Sequence, residues 1–269
     1  MIPDPDMSGA DIEEAQNRIA QAMLAGNRIA LFLDYDGTLR EIEREHLASQ
    51  THSSRLSQTA PDLANIDVTI ISGRSRDDIQ VWLGVYPFRL IAEHVASRRH
   101  PGSQEWEQLD GTVNYAWKEE LLNILRLYEE ATPGSLVEEK RSSLVWHYRM
   151  ADREFGEWKA RKLTRQLAAF TANQQIQVHH GKKIVEVGAA QLNKGAAVAQ
   201  LLAEEHLYDC VLCAGDDRTD ESMFALNTPG LLSVKVGDGP TQAGFRVADP
   251  ALLRQFLVKA LVQSRGDQQ

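Results

Sequence analysis

The stretch RIALFLDYDGTLREI, residues 28–42, joins a short apolar run to a cluster of polar residues. The run at residues 29–33 is typical of a buried parallel strand, and Asp34 follows it, with Asp36 two residues later. Functional groups collect beyond the carboxyl ends of such strands. Two carboxylates this close repel each other, so both stay ionised only beside a cation such as Mg²⁺ or if they share a proton. The simpler alternative is an Asp-Gly turn that ends the strand.

Similar apolar runs recur along the chain, and several of them precede helical patterns. They are IALFL, VTIIS, FRLIA, CVLCAG and LLSVKVG, which begin at residues 29, 68, 88, 210 and 231. An amphipathic helix is predicted before the first run, over residues 11–26. Short buried strands that alternate with helices predict an α/β fold with a parallel sheet.

A block at residues 105–187 follows a different pattern. A predicted helix precedes SLVEEKRSSLVWHYR, which alternates and turns near Ser142, and a second helix precedes IQVHHGKKIVEV, which turns near Gly181. This helix-hairpin-helix-hairpin order predicts an α+β domain inserted into a sheet domain of residues 1–104 and 188–269. We expect His179 and His180 to lie at an exposed hairpin tip rather than to bind a metal.

Composition limits the classes of function. The 269 residues carry a net charge of −9, which argues against binding to nucleic acid or to an anionic membrane surface. No window is apolar enough to span a bilayer, and the acidic N-terminus does not resemble a signal peptide, so we expect a cytoplasmic protein. Cys210 and Cys213 should face opposite sides of a strand, which favours two buried core residues over a metal or redox pair.

Two further segments contain groups that phosphate chemistry requires. In VTIISGRS, the hydroxyl of Ser72 and free backbone N–H groups before a helix would bind an anion, and Arg74 adds charge; the alternative is a serine helix cap. In QLNKGAAVAQLLAEE, Lys194 begins a helix, where a lysine is unfavourable unless an anion or a carboxylate lies opposite.

The segment VLCAGDDRTDESMF adds a second acidic cluster at a strand end. Asp220 and Glu221 have a simple interpretation as residues that favour the start of a helix. Asp216 and Asp217 fit that interpretation less well, because another pair of carboxylates increases the repulsion. Hard oxygen ligands in this number fit Mg²⁺, which takes one or two carboxylates together with a substrate phosphate.

In this order, DYDGT, ISG, NKG and GDDRTDE resemble the motifs of the haloacid-dehalogenase (HAD) superfamily of phosphatases. The inserted block resembles the C2-type cap of that superfamily, and the remainder resembles its Rossmann-like core. The resemblance implies that Asp34 is a nucleophile that becomes an aspartyl phosphate, and that Asp36 is the general acid and then the general base. It further implies that Ser72 and Lys194 hold the phosphoryl oxygens.

The resemblance also implies a magnesium site. Asp34, the backbone carbonyl of Asp36 and Asp216 would bind the ion. Asp217 and Asp220 would orient the ligands and waters around it.

Within the superfamily, VEEKRSSLVWHYR, GKKIVEV, SGR, AEH and GDDRTDE resemble the trehalose-6-phosphate phosphatase family, although a valine stands where a glycine commonly follows the AEH histidine. This resemblance implies Mg²⁺-dependent hydrolysis of a small sugar phosphate, trehalose 6-phosphate. The implied substrate-binding residues are Arg74, His94, Glu138, Lys140, Arg149 and Glu186. The alternatives are a phosphatase for sucrose phosphate or for glucosyl- or mannosyl-phosphoglycerate, and a non-catalytic sugar-phosphate-binding module. For the four cap residues in this set, the alternative is a solvated polar sheet face.

Overall fold

The computed structural model describes residues 9–25, 27–41, 65–109, 111, 113–172, 175–205 and 208–266. The chain divides into two compact units. Met1–Glu107 and Lys194–Gln269 form the core unit, and Gln108–Asn193 form the cap unit. The cap unit extends beyond residue 187, where its end was predicted, because its last strand continues to Ala189.

The core unit consists of strands and helices. In chain order they are α1 (Gly9–Leu24), β1 (Ile29–Asp34), β2 (Ile66–Ile71), α2 (Arg76–Leu83), β3 (Arg89–Ala92), β4 (Ser97–Arg99), β5 (Trp106–Gln108), α5 (Lys194–Glu205), β10 (Cys210–Gly215), α6 (Glu221–Phe224), β11 (Leu231–Val236), β12 (Phe245–Val247) and α7 (Pro250–Gly266).

The strands of the core unit form one sheet in the order β12-β11-β10-β1-β2-β3-β4-β5. The pairings from β12 to β3 are parallel, and β4 runs antiparallel to β3. The predicted α/β class and all five predicted strands are confirmed. The sequence patterns missed β4, β5 and β12, because three residues each are too few to show a period.

The register of the sheet brings three strand ends to one edge. Leu33 of β1 lies opposite Ala214 of β10, and Asp34 lies opposite Ile71 of β2. Because these strands are parallel, the residues that follow each of them emerge at the same side of the sheet. The acidic cluster after β10 and the serine after β2 are therefore neighbours of Asp34.

Apolar side chains fix the sheet between helices. On one face, Ile19 of α1, Leu31 of β1, Leu212 of β10 and Phe256 of α7 are buried in one cluster. Each such side chain contributes roughly 1.5–3 kcal/mol when it is fully removed from water. Cys210 and Cys213 are buried and form no disulfide, as expected of core residues. None of the described helices combines the length and the apolar character needed to cross a bilayer.

The cap unit has the predicted helix-hairpin-helix-hairpin order. Its elements are α3 (Trp117–Glu130), β6 (Leu136–Glu139), β7 (Ser143–His147), α4 (Arg153–Thr171), β8 (Ile176–Gly181) and β9 (Ile184–Ala189). The strands form an antiparallel sheet in the order β6-β7-β9-β8. One face packs on the helices through an apolar cluster that includes Trp146, Leu163 and Val185.

The other face of this sheet is more polar. Glu138, Val145, Glu186 and His179 are consecutive partners across β6, β7, β9 and β8. Residues directly opposite one another lie on the same face of a sheet. We call this row, together with His147 and Ser143 on the same face of β7, the polar cap face.

The predicted exposed tip at His179 and His180 is wrong. Both residues lie within β8 and are half-buried, because the strand continues to Gly181 and the turn follows it. His180 makes a hydrogen bond of 2.7 Å to the hydroxyl of Tyr148. His179 belongs to the polar cap face, opposite Glu186.

Candidate active site

Asp34 is the last residue of β1 and is only 6% exposed. Both of its carboxylate oxygens accept hydrogen bonds. Thr38 Oγ1 donates to Oδ2 at 2.8 Å, and Lys194 Nζ donates to Oδ1 at 2.7 Å. The carboxylate is thus fixed in orientation by two donors from different parts of the chain.

Lys194 begins α5 and is buried with its ammonium group between two carboxylates. Besides Asp34, Nζ donates to Asp220 Oδ1 at 2.6 Å. The expectation that a carboxylate lies opposite this lysine is confirmed. Although burial opposes it, the charges of Asp220 and Asp34 hold the pKa of Lys194 well above its ordinary value. The lysine therefore carries a positive charge next to the end of β1.

Asp220 does not act as a side-chain helix cap. It occupies the position before α6, but its carboxylate makes no capping hydrogen bond and is fully buried. Its Oδ2 accepts the backbone N–H of Asp217 at 3.0 Å, while Oδ1 binds Lys194. The simple interpretation of Asp220 is therefore wrong, because the side chain folds back toward the strand ends.

Three carboxylates converge at this edge of the sheet. One oxygen from each of Asp34, Asp216 and Asp220 lies within 4.8 Å of the other two. Burial, together with neighbouring carboxylates that include Asp217, raises the pKa of Asp34 and of Asp216 to about 6 against the opposing charge of Lys194. For the same reasons the pKa of Asp220 rises to about 8. Such carboxylates gain from additional positive charge, and hard oxygen donors of this kind fit Mg²⁺.

Asp217 is a neighbour of this cluster but is not one of the three converging carboxylates. Its side chain is exposed, and its Oδ1 accepts hydrogen bonds from the backbone and the hydroxyl of Thr219, at 2.7 and 2.6 Å. Of the residues assigned to the metal site, the structure brings together the carboxylates of Asp34, Asp216 and Asp220.

Gly37 allows the loop after β1 to approach the second acidic strand end. Its φ is +85°, a conformation that favours glycine, and a Cβ atom built on it would lie 2.2 Å from Asp216 Oδ2. A side chain at this position would displace Asp216. The glycine of DYDGT therefore has a steric reason that the sequence alone does not reveal.

Asp36 forms a two-pronged ion pair with Arg74. Arg74 Nε lies 2.7 Å from Asp36 Oδ2, and Nη2 lies 2.8 Å from Oδ1. Arg74 was expected to add charge to an anion site beside Ser72. In the structure its guanidinium group binds the predicted general acid.

Ser72 follows β2 and is buried, with its Oγ accepting the backbone N–H of Arg74 at 3.1 Å. The alternative that Ser72 caps the next helix is wrong. Ser75 is the capping residue of α2, and its side chain accepts the N–H of Asp78. Ser75 thus satisfies the helix terminus, and Ser72 lies three residues earlier, at the end of β2.

His94 lies against the segment that carries Ser72. Three consecutive residues, Glu93, His94 and Val95, have positive φ, and they turn the chain sharply after β3. A Cβ at Gly73 would lie 2.5 Å from the imidazole of His94. The close contact explains why the residue after Ser72 has no side chain. Val95, at φ +75°, has a left-handed conformation that is strained for a β-branched residue.

On the polar cap face, each predicted glutamate has a partner. Glu138 Oε2 lies 2.8 Å from His147 Nε2, and this hydrogen bond lowers the pKa of Glu138. Glu186 is only 7% exposed and accepts a hydrogen bond of 2.7 Å from Ser143 Oγ. These contacts hold the side chains of both glutamates in place on the polar cap face.

The other two predicted cap residues lie outside the strands. Lys140 is in the turn after β6, where its backbone N–H donates to the carbonyl of Ser143 at 3.0 Å. Arg149 is exposed and lies in a turn beyond β7, because the strand ends at His147. Arg149 therefore does not share the strand face on which it was predicted.

Sequence reasoning did not assign roles to several residues that contact this site. Thr38 lies four residues after Asp34 and donates to its Oδ2, a contact that depends on the conformation of the loop after β1. Lys235 is buried and donates to the backbone carbonyl of Asp216. Its one available signal was a lysine within the apolar run LLSVKVG. A charged residue in such a run needs a buried partner.

Comparisons with known proteins identify relatives of this chain. A model of the trehalose-phosphatase family matches residues 32–251. The bifunctional trehalose-6-phosphate synthase/phosphatase of Thermoproteus tenax is 38% identical over 254 residues, which cover 93% of this chain and 34% of that protein. A trehalose-phosphatase of Schizosaccharomyces pombe is 35% identical over 236 residues, which cover 81% of this chain and 29% of that protein.

A solved structure shows the same fold. The C-terminal domain of the C. albicans trehalose-6-phosphate phosphatase superposes with a TM-score of 0.82 and 30% identity, covering 93% of this chain and 98% of that chain. The chain itself spans about a third of the length of the curated relatives that it matches.

Proposed function

The chain belongs to the trehalose-phosphatase family, and we propose that it hydrolyses trehalose 6-phosphate to trehalose and inorganic phosphate. The substrate is thus a small sugar phosphate. The observation that carries the proposal is the environment of Asp34. A buried carboxylate is held by Lys194 and Thr38 at a strand end where Asp216 and Asp220 converge. This arrangement suits attack on an anionic phosphoryl group. Such an attack needs a nucleophile of fixed orientation and nearby positive charge that offsets the charge of the phosphoryl group.

In the first step, Asp34 attacks phosphorus, and the bond between phosphorus and the sugar oxygen breaks. Asp36 donates a proton to that leaving oxygen, so trehalose departs as a neutral alcohol. The product is a phosphate ester of the Asp34 carboxylate. We assign Ser72 and Lys194 as hydrogen-bond donors to the phosphoryl oxygens.

In the second step, water attacks the phosphorus of the aspartyl phosphate. Asp36 accepts the proton of that water, the acyl phosphate bond breaks, and Asp34 is restored as inorganic phosphate leaves. One carboxyl group thus serves both steps, because the first leaves Asp36 ionised and ready to act as a base.

The carboxylate cluster supports a divalent cation, and Mg²⁺ is the ion that we propose. Asp34, Asp216 and the backbone carbonyl of Asp36 would hold it, with Asp220 fixing Lys194 beside them. When bound, the ion would offset the negative charge of the carboxylates and of the phosphoryl oxygens. Lys235 supports this role, because it anchors the backbone at Asp216.

We assign the recognition of the sugar to the cap unit. The ordered glutamates Glu138 and Glu186 can accept hydrogen bonds from sugar hydroxyls, and Lys140 and Arg149 can donate them. We also assign His94 to substrate binding, because its imidazole lies against Gly73, the residue after Ser72. The predicted cytoplasmic location stays a prediction.

The test is phosphate release from a panel of phosphorylated glycosides, measured with Mg²⁺ and with excess chelator. We expect the highest kcat/KM for trehalose 6-phosphate, and we expect turnover to vanish with chelator and to return when Mg²⁺ is added. Ca²⁺ should substitute poorly, because it prefers longer bonds and more ligands. Preference for sucrose phosphate or for a glycosylated phosphoglycerate would replace the proposed substrate. Binding without turnover would mean a sugar-phosphate-binding module.

A further inference from the structure

Arg74 acts on Asp36 through a contact that fixes both oxygens of the carboxylate. The Nε–Oδ2 and Nη2–Oδ1 distances of 2.7 and 2.8 Å describe a fork in which the two planar groups face each other edge to edge. A single contact would leave the carboxylate free to rotate about its last bond. The fork removes that freedom, because two parallel hydrogen bonds define a plane.

Arg74 is itself held in place on its other sides. Its guanidinium group lies over the ring of Trp82 at 5.2 Å, and Trp82 stacks on Tyr35 with the ring centroids 5.7 Å apart. Tyr35 precedes Asp36 in the chain. The arginine is thus supported by a stack that returns to the loop carrying the residue it binds.

The backbone of Arg74 joins the same unit to two other segments of the site. Its N–H donates to Ser72 Oγ at 3.1 Å, and its carbonyl accepts the N–H of Glu93 at 2.8 Å. Glu93 begins the left-handed turn that carries His94. One residue therefore connects the strand end with Ser72, the turn after β3 and the loop after β1.

We propose that Arg74 is a positioning residue for the general acid and base Asp36, supported by Trp82, and that it does not bind the phosphoryl group. The proposal rests on the proposed phosphatase function. In this role, Arg74 supports the proton transfers that Asp36 makes, first to the leaving oxygen and then from the attacking water. An orienting residue of this kind affects kcat, whereas a phosphate ligand affects the binding of substrate and of inorganic phosphate alike.

The test compares Arg74→Gln and Arg74→Lys with wild type on trehalose 6-phosphate and on 4-nitrophenyl phosphate. The sugar is a poor leaving group that needs a proton, and nitrophenolate leaves without one. The control is Arg76→Gln, which removes a neighbouring arginine whose ion partner is Glu93, at 3.8 Å, rather than Asp36. Turnover, the pre-steady-state burst with the aryl ester, and inhibition by inorganic phosphate are measured.

For Arg74→Gln, we expect kcat on trehalose 6-phosphate to fall by roughly 10- to 100-fold, a part of what general acid–base catalysis supplies. The inhibition constant of phosphate and the burst rate with the aryl ester should stay within about threefold of wild type, and KM should not rise for either substrate. The steady-state rate on the aryl ester should fall, because Asp36 still activates water in the second step. Arg74→Lys should resemble Arg74→Gln, since lysine keeps the charge but not the fork.

Several outcomes would overturn the inference. If KM and the phosphate inhibition constant rise together for both substrates, Arg74 binds the phosphoryl group. If Arg74→Gln does not fold, Arg74→Lys decides, and wild-type kcat in that variant refutes positioning by the fork. A loss in Arg76→Gln equal to that in Arg74→Gln would mean that only net charge matters. Failure of the proposed function is recognised separately, because wild type itself would then release no phosphate.

Discussion

At the scale of single residues, burial and charge oppose each other at Asp34. Burial alone would favour the neutral acid, which is a poor nucleophile, and the pKa is accordingly raised to about 6. Lys194 and Thr38 act against this by binding the ionised form. The buried lysine is therefore as necessary to the carboxylate as the carboxylate is to the lysine.

This mutual dependence predicts a large loss of stability when Lys194 is removed. In Lys194→Met the buried carboxylates of Asp34 and Asp220 lose their shared cation, so the free energy of unfolding should fall by roughly 3–5 kcal/mol. Adding Asp220→Asn should restore part of this loss, because it removes one of the unpaired charges. Denaturant unfolding of the variants measures both effects.

Lys259→Met is the matched control, because Lys259 is exposed on α7 and its replacement should change the unfolding free energy by less than about 0.5 kcal/mol. If Lys194→Met is no less stable than Lys259→Met, the buried ion pairs do not support the fold. If Asp220→Asn worsens the loss, the excess negative charge is not its cause.

At the scale of elements, two serines three residues apart have different tasks. Ser75 caps α2, and Ser72 stands at the end of β2 with its hydroxyl buried. We expect Ser75→Ala to lower the free energy of unfolding by about 1 kcal/mol while kcat/KM stays within about twofold of wild type. Ser72→Ala should lower kcat/KM by about tenfold or more, since it removes a proposed phosphoryl contact.

Thermal unfolding and initial rates of the two variants distinguish these tasks. If the same variant showed the larger loss both in thermal stability and in initial rate, the two serines would not have separate tasks. A catalytic loss in Ser75→Ala alone would mean that the start of α2, rather than Ser72, contacts the phosphoryl group.

The sequence was sufficient to predict the elements that carry the site, because strand ends and helix starts have local patterns. The apolar run before Asp34 and the helix that begins at Lys194 are examples. The contact between these two residues joins positions 160 apart, and no local pattern encodes it. Only the resemblance to a family assigned both residues to one phosphate site.

Other features depend on register and on turns, which the sequence specifies weakly. His179 was expected at a hairpin tip, but β8 extends past it, so the residue faces Glu186 instead. Arg149 was expected on a strand that in fact ends at His147. Arg74 was placed near phosphate by charge alone, whereas its fork on Asp36 depends on the loop after β1. Strand limits and loop conformations account for these differences.

At the scale of the whole molecule, the two units contain different kinds of chemistry. The core unit holds the buried carboxylates and Lys194, and the cap unit holds the polar cap face. If the cap unit contacts the part of the substrate that does not react, its binding energy serves orientation and specificity rather than bond breaking. The separation can be tested with substrates that lack the sugar.

Glu138→Ala should therefore lower kcat/KM for trehalose 6-phosphate by roughly 10- to 1000-fold, which corresponds to a few charge-assisted hydrogen bonds. The same variant should change the hydrolysis of 4-nitrophenyl phosphate little. Glu139→Ala is the matched control, because Glu139 lies opposite Leu144 of the apolar face and pairs with Lys118 at 3.1 Å. Equal losses on the two substrates would assign Glu138 to the catalytic core. No loss on either would make the polar cap face a solvated surface.

If Asp34 is the nucleophile, it carries the phosphoryl group during turnover, and chemical trapping can detect this intermediate. Wild-type protein is mixed with trehalose 6-phosphate and Mg²⁺, quenched within the first turnover and reduced with borohydride, which converts an aspartyl phosphate to homoserine. Mass spectrometry of the peptides then locates the change. We predict homoserine at position 34 in wild type, and neither trapping nor turnover in Asp34→Asn. Trapping at another residue, or sustained turnover by Asp34→Asn, would contradict the account.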